Sequence, residues 1–329
     1  MARRRPALRP AGALMNRRIA LQALLLVIVA ALFIAAALNA ARNLEARHIP
    51  TSFAFLWQTA GFGLNQSVIP FSPLDTYARA LLVGVLNTLI VSAVASVLAT
   101  VVGFAVGFAR LSAHWGLSRL AALYVETLRN IPLLLHLLFW YIVLLTPLPQ
   151  PEQSLSLGGV LLNNRGLYFP FPGLGWPSFD AARNAFNVEG GLRLSPEAAA
   201  LIFGLTFYTA AYIAEILRAG VQAVPRGQGE AAQALGLSPA QTRRLVVMPQ
   251  ALRVALPPLI SQYLALTKNS SLAAFIGFAD LMQVSGTILN QTGAALQTIG
   301  IDMALYLGLS MLTLALMRRI EKKSDWGAK

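Results

Sequence analysis

Four consecutive hydrogen-bonding side chains, Lys268, Asn269, Ser270 and Ser271, interrupt an apolar run that opens at Pro257-Pro258. An ionisable residue in hydrocarbon is costly unless it faces a partner or water, so an ammonium flanked by small polar groups is suited to holding an anionic or zwitterionic solute. Bond-breaking chemistry finds no comparable constellation. The chain has no cysteine, which removes disulfides, thiolate nucleophiles and Cys-based metal sites. Its three histidines, His48, His114 and His136, are scattered and give no zinc spacing. None of the four lysines, Lys268, Lys322, Lys323 and Lys329, follows the glycines of a phosphate-binding loop. The chain is therefore expected to supply no ATPase site, to need no cofactor and not to be an enzyme. Two acid–base pairs remain, Glu126 with Arg129 and Glu215 with Arg218, each spaced to share a helix face and to pair. They are candidates for a gate or a brace; for Glu126 and Arg129 a local ion pair is the favoured reading.

The elements that must position these residues are membrane helices. Of 329 residues, 56% are hydrophobic and 12% charged, and mean hydropathy is +0.61, too apolar for a soluble domain. An arginine-rich tail precedes the uncharged run 19–38. Twenty residues at about 1.5 Å each match a hydrocarbon core of about 30 Å, and a signal peptide's apolar region is shorter, so the run reads as an uncleaved first span. Residues 39–79, with Pro50, Pro70 and Pro73, follow as an extramembrane loop. The second span lies within 80–109, where Gly103 and Gly107 form a small-xxx-small pair for close packing. The third is the apolar run 133–145. Residues 147–195 are rich in Pro, Gly, Asn and aromatics, have no helical period, and read as a folded extracytoplasmic insertion. The fourth span covers 198–217, the fifth starts at Pro257, and the last covers 299–317.

Counted from Pro257, Lys268 lies about 16 Å along a helix, near mid-membrane. Two readings stand there. Either the polar run lines a cavity, where irregular backbone at depth is tolerated, or Lys268 snorkels to the outer interface while the serines bond back to their own helix.

Topology accounts for the net charge of +13. With six spans and the N-terminus inside, eighteen of the 26 Lys and Arg fall on one side and six on the other, a strong positive-inside bias. The basic side also attracts anionic membrane lipid, and no nucleic-acid partner is implied.

One stretch between spans is built for a partner, Gly227 to Arg253 (GQGEAAQALGLSPAQTRRLVVMPQALR). Glu230 to Leu235 are good helix formers, and Gly236 supplies the positive φ that ends a helix. Ser238 can cap a second helix, with Pro239 at its first position and Gln241 placed for a capping box. Pro249 is expected to end or kink that second helix.

Glu230-Ala231-Ala232, Gly236 six positions after Glu230, and Pro249 thirteen positions after Gly236 resemble the EAA signature of permease subunits of binding-protein-dependent ABC importers. Val246 and Met248 stand where Ile and Leu are usual, both apolar and of similar size. Pro225, Gly227, Gln228 and the run from Glu230 to Ser238 are similar to the branch that imports polar amino acids, as is the run from Glu126 to Leu134. The extended first loop and the stretch RGLYFP, from Arg165 to Pro170, look like general L-amino-acid permeases of Gram-negative bacteria, for which a heteromeric pair is expected.

The resemblance implies an all-α polytopic protein of about six transmembrane helices with the type I ABC importer permease fold. The short loop helix would be a coupling helix, with Gly227, Glu230, Ala231, Ala232, Leu235 and Gly236 docking on a separate cytosolic ABC ATPase. A second permease subunit, either a homologous chain or a second copy, and a periplasmic amino-acid-binding protein would complete the importer. The chain would form the path for L-amino acids in a bacterial inner membrane, with both termini cytoplasmic. The division expected is 1–79 for the tail, first span and outer loop; 80–320 for the transmembrane domain, with the insertion at 147–195 and the coupling loop at 218–253; and 321–329 for a cytosolic tail. The alternative is a secondary amino-acid transporter driven by an ion gradient, which would be expected to show inverted repeats and intramembrane acids. Here the acids sit mainly at span ends or in loops.

Overall fold

The computed structural model describes residues 11–46, 52–184 and 186–324, in two compact units, 1–53 and 54–329. Arg3, Arg4, Arg5, Arg9, His48, Pro50 and Lys329 lie outside the described residues. The first unit holds one helix, α1 (Ala11–Ala46), whose stretch Ile19–Asn43 contains an 18-residue window of mean hydropathy 2.8. It outlasts the apolar run because its last turns stay helical, with Asn43 donating to Asn39 one turn back at 3.3 Å. The first residues of the expected 39–79 loop are therefore helix.

The second unit is organised around α5 (Pro196–Ala223), which opens behind Ser195. The Ser195 Oγ accepts from Ala198 N at 3.2 Å, and Pro196 occupies the first turn, where a missing N–H is no loss. Of its most apolar stretch 67% is buried, against 28% for α2 (Tyr77–Arg110) and 6% for the last helix, so α5 is the core and the others surround it. Lipid tails are as apolar as leucine, so the helices must be held by close contact rather than by escape from water. Gly103 and Gly107 of α2 provide it. A Cβ at Gly103 would lie 2.6 Å from Ile213 Cβ, and one at Gly107 2.8 Å from Leu217 Cδ2.

After α2 the turn is short, and α3 (Trp115–Asn130) fills most of the stretch between the expected second and third spans. Ile131 then adopts φ −98°, ψ 131°, the extended conformation that a following proline imposes. The chain turns by 107° between α3 and the segment formed by α4 (Leu133–Leu138) and a π-helical continuation, Phe139–Leu145. His136, buried under this corner, lies with Nε2 3.1 Å from Leu128 O. The expected third span, 133–145, is thus one limb of a bent pair whose other limb is α3.

The insertion is a four-stranded antiparallel meander, β1 (Leu155–Leu157), β2 (Val160–Asn163), β3 (Gly166–Phe169) and β4 (Leu192–Leu194). Gly158 and Gly159, at φ 56° and 86°, make the two-residue β1–β2 turn. Tyr168 is 1% exposed and donates to Asn187; burial holds its hydroxyl above the ordinary pKa.

Beyond α5 come α6 (Arg226–Ala234), α7 (Pro239–Thr242), a π-turn (Arg243–Val247), α8 (Met248–Asn269), a 3₁₀ segment (Ser270–Ile276), α9 (Leu281–Thr292) and α10 (Ala295–Ser324). Pro257 and Pro258 lie inside α8 rather than at its start. Gly277, at φ 76°, stops the 3₁₀ segment, and α9 leaves at 51°. Among the described residues, four helices are long and apolar enough to cross a membrane, and six crossings result if each bent pair counts as one.

Candidate functional site

The loop between α5 and α8 closes by a Schellman motif. Leu237 N donates to Ala232 O at 3.2 Å and Gly236 N to Gln233 O at 2.9 Å, with Gly236 at φ 87°. Two residues later Ser238 and Gln241 form a capping box, Gln241 N to Ser238 Oγ at 3.3 Å and Ser238 N to Gln241 Oε1 at 2.9 Å. Both features follow from local side-chain chemistry, which is why the residues announce them.

Two expectations for this loop need correction, that the short helix begins at Glu230, with the carboxylate at its positive end, and that Pro249 ends or kinks the second helix. Helix α6 starts at Arg226 behind Pro225, so Glu230 is its fifth residue and no acid lies in the first turn. The helix dipole acts mainly within the first turn, so it lends Glu230 little. Pro249 does not end the second helix. The missing N–H is absorbed by the preceding π-turn, in which Met248 N reaches back five residues to Arg243 O, and the helical path continues into α8.

The loop presents an apolar tip. Ala232 is buried and anchors α6, whereas Leu235 is 85% exposed beside Gly236, with Gly227, Glu230 and Ala231 also exposed. Glu230 shares a cleft of about 670 Å³ with Arg226, Arg243 and Gln233, closed on the far side by Phe108 and Val221.

An ion network ties the loop end of the bundle together. Arg110, the last residue of α2, lies 2.5 Å from Glu215 of α5 and 3.5 Å from Glu126 of α3. Arg218 donates to Glu215 through Nε at 3.0 Å and Nη2 at 2.6 Å, the expected pair. Glu126 and Arg129 do not pair. Glu126 reaches back to α2, while Arg129 sits 5.0 Å from the ring centroid of Tyr212 on α5. Arg110 was readable only as the bracket of a span; its role depends on three helices converging.

Depth along α8 is set by register, since Pro257 is not its start. Tyr263 Oη lies 2.7 Å from Thr100 Oγ1 of α2, and Lys268 is five residues, about 7.5 Å, further on. That places Lys268 level with the middle of α2. Its side chain is exposed and Asn269 half-buried, whereas Ser270 and Ser271 donate to Thr267 O and Lys268 O, each at 2.8 Å. The serines thus bond back to their own helix.

The break before α9 holds a polar cluster that the sequence did not single out. Asp280 is fully buried and caps α9 by accepting from Gln283 N at 2.8 Å. Tyr306 Oη donates to Asp280 Oδ2 at 3.4 Å, Ser285 donates to Asp302, and Leu281 N donates to Thr88 Oγ1 at 3.1 Å. Asp302 lies on α10, and the bend at Gly277 sets the start of α9 against both α2 and α10. No group of three or more His, Cys, Asp or Glu fit for a metal occurs among the described residues.

Residues 99–325 match the family described as "Binding-protein-dependent transport system inner membrane component". The chain belongs to that family. The permease is 43% identical to "General L-amino acid transport system permease protein AapQ" of Rhizobium johnstonii, over 93% of this chain and 92% of that one. It is 38% identical to "Glutamate/glutamine/aspartate/asparagine transport system permease protein BztB" of Rhodobacter capsulatus, over 86% and 88%. Among solved structures it resembles a chain of "Crystal structure of an amino acid ABC transporter with histidines", with TM-score 0.55 and 26% identity, over 75% of this chain and 95% of that one. The fold is accordingly the type I importer permease fold, and the protein is a multi-pass inner-membrane permease subunit, not itself an enzyme.

Proposed function

We propose that this permease forms the path for L-amino acids in an ATP-driven importer, with a separate cytosolic ATPase docked on α6 and a periplasmic binding protein delivering the solute. The observation that carries the reading is the loop itself: a helix with a small-residue face, an exposed Leu235 and a Gly236 turn fixed by the Schellman motif, offered to a partner at one end of the bundle. The names of these relatives, which are amino-acid permeases, support amino acids as cargo. A second permease subunit, homologous or identical, completes the path. The termini are cytoplasmic on the positive-inside bias.

Within this reading Gly227, Glu230, Ala231, Ala232, Leu235 and Gly236 form the ATPase contact. Lys268 and Asn269 line the path, with Ser270 and Ser271 shaping the backbone beside them. Glu126, Glu215 and Arg218, joined by Arg110, brace the loop end, and Arg129 holds α3 to α5. No observation favours the ion-gradient alternative. The test is co-purification from the native membrane followed by reconstitution. ATP-dependent uptake of a labelled amino acid, requiring an ATPase and a binding protein, is expected; uptake that follows an ion gradient without ATP would reject the reading.

A further inference from the structure

On the other side of α2's Gly103 contact with α5, towards the start of α2, residues of α2, α5 and the sheet line a cavity of about 600 Å³, with Phe169 and Leu194 of the sheet and Phe203 and Phe278 among its walls. Its outer wall is Ile90, Val94 and Leu98 of α2, one helical stripe, exposed to 42%, 40% and 39%. From Asn87 to Leu98 the groove runs eleven residues, about 16 Å, which is about half of a 30 Å hydrocarbon core and so one leaflet deep.

The groove ends in polar groups. Arg193, two residues before the cap of α5, lines both the cavity and an adjoining vestibule of about 250 Å³ with Gln66 and Ser67. Its Nε and Nη2 donate to Arg165 O at 3.2 and 3.1 Å, which fixes the guanidinium while leaving the Nη1 edge free. No carboxylate lies within ion-pair distance of it among the described residues. Asn87, 2% exposed, lines the cavity too. Its Nδ2 donates to Gln66 O at 3.0 Å and to Ala279 O at 2.7 Å, so the amide orientation is determined and Oδ1 is left as a buried acceptor with no partner. A buried unpaired acceptor costs stability unless something donates to it.

We infer that this groove is a phospholipid site in the leaflet on the side of the sheet: the phosphodiester on Arg193 and an acyl chain along Ile90, Val94 and Leu98. The occupant follows from the match of a one-leaflet apolar channel with a fixed, uncompensated cation at its surface end. A phosphodiester takes paired N–H donors from a guanidinium well. The assignment does not depend on which face of the membrane the sheet occupies, nor on the cargo.

The test uses the full chain with its accompanying subunits in vesicles containing phosphatidylglycerol that carries a diazirine on one acyl chain. Photolabelling is expected to concentrate on peptides holding residues 90–98 and 202–203, several-fold above the lipid-exposed Leu307 and Met311 of α10. Arg193→Gln should reduce capture about tenfold, the scale of one lost hydrogen bond to a charged group. Arg183→Gln, an exposed arginine in the same insertion, should leave it unchanged. Val94→Trp should fill the groove and abolish labelling there. Uniform labelling along α2 and α10, or capture indifferent to Arg193→Gln, overturns the proposal. So does ready disulfide formation by Val94→Cys, the sole cysteine in that variant, because it would make the groove an interface with a second permease chain.

Discussion

Replacing Gly236 isolates the geometry of the coupling turn from everything around it. At φ 87° an L-residue pays the left-handed penalty of about 1–2 kcal/mol, and a β-branched side chain sits at its upper end. A Cβ at this position meets nothing within 4 Å, so no steric term is added and the core is untouched. If the turn relaxes, the docked loop geometry falls in population by about 5- to 30-fold, which is what 1–2 kcal/mol is worth. Gly236→Val should therefore insert and purify in normal amount, yet lose most uptake and most ATPase stimulation by the loaded binding protein. Gly236→Asn should lie between it and the parent protein, since asparagine tolerates the left-handed region better than other side chains. The assay is uptake in proteoliposomes beside stimulated ATP hydrolysis. Full coupling in Gly236→Val, or equal loss in the Val and Asn variants, would refute the conformational argument.

Three other outcomes are expected. Glu230→Lys reverses the charge on the exposed face of α6 and should release the ATPase from the membrane fraction, with Glu230→Gln only weakening its retention; a Lys variant that keeps its ATPase removes the electrostatic contact from the account. Lys268→Met should insert, retain the ATPase and lose most uptake while stimulated ATP hydrolysis persists, and unchanged uptake kinetics would return Lys268 to an anchoring role. Glu215→Gln leaves Arg110 and Arg218 without their shared counter-charge. It should lower the thermal midpoint of the purified protein by the equivalent of about 1–3 kcal/mol, less than the 3–5 kcal/mol of a fully buried pair because the groups are partly exposed; an unshifted midpoint means the network holds nothing.

What the residues disclosed and what they withheld divides by the range of the interactions involved. Ser238, Gln241 and Gly236 act on backbone groups within a few positions, so the cap and turn were legible. Gly103 and Gly107 were readable as a packing pair because small residues in a span have few other uses. Glu126 misled, because i,i+3 spacing offers Arg129, whereas the folded chain offers Arg110 from another helix. The strands of the insertion, three or four residues each, are too short to show alternation. Pro249 was overestimated because a π-turn is a remedy that no local residue advertises. Asp280 and Tyr306 meet only once the chain has bent at Gly277 and returned as α10.

The continuous helical path from Pro239 to Ile276 has a mechanical consequence. Its base carries the capping box beside the docking turn and its upper part carries Lys268, about 45 Å away at 1.5 Å per residue. In the proposed importer it would serve as a lever arm: a tilt of roughly ten degrees about its base would sweep Lys268 sideways by about 8 Å, about one and a half helix pitches. On that reading no relay of side chains would be needed between a docked ATPase and Lys268. The π-turn at Arg243–Val247 lies within that arm, close to its base, so any bending there would reduce the stroke that arrives.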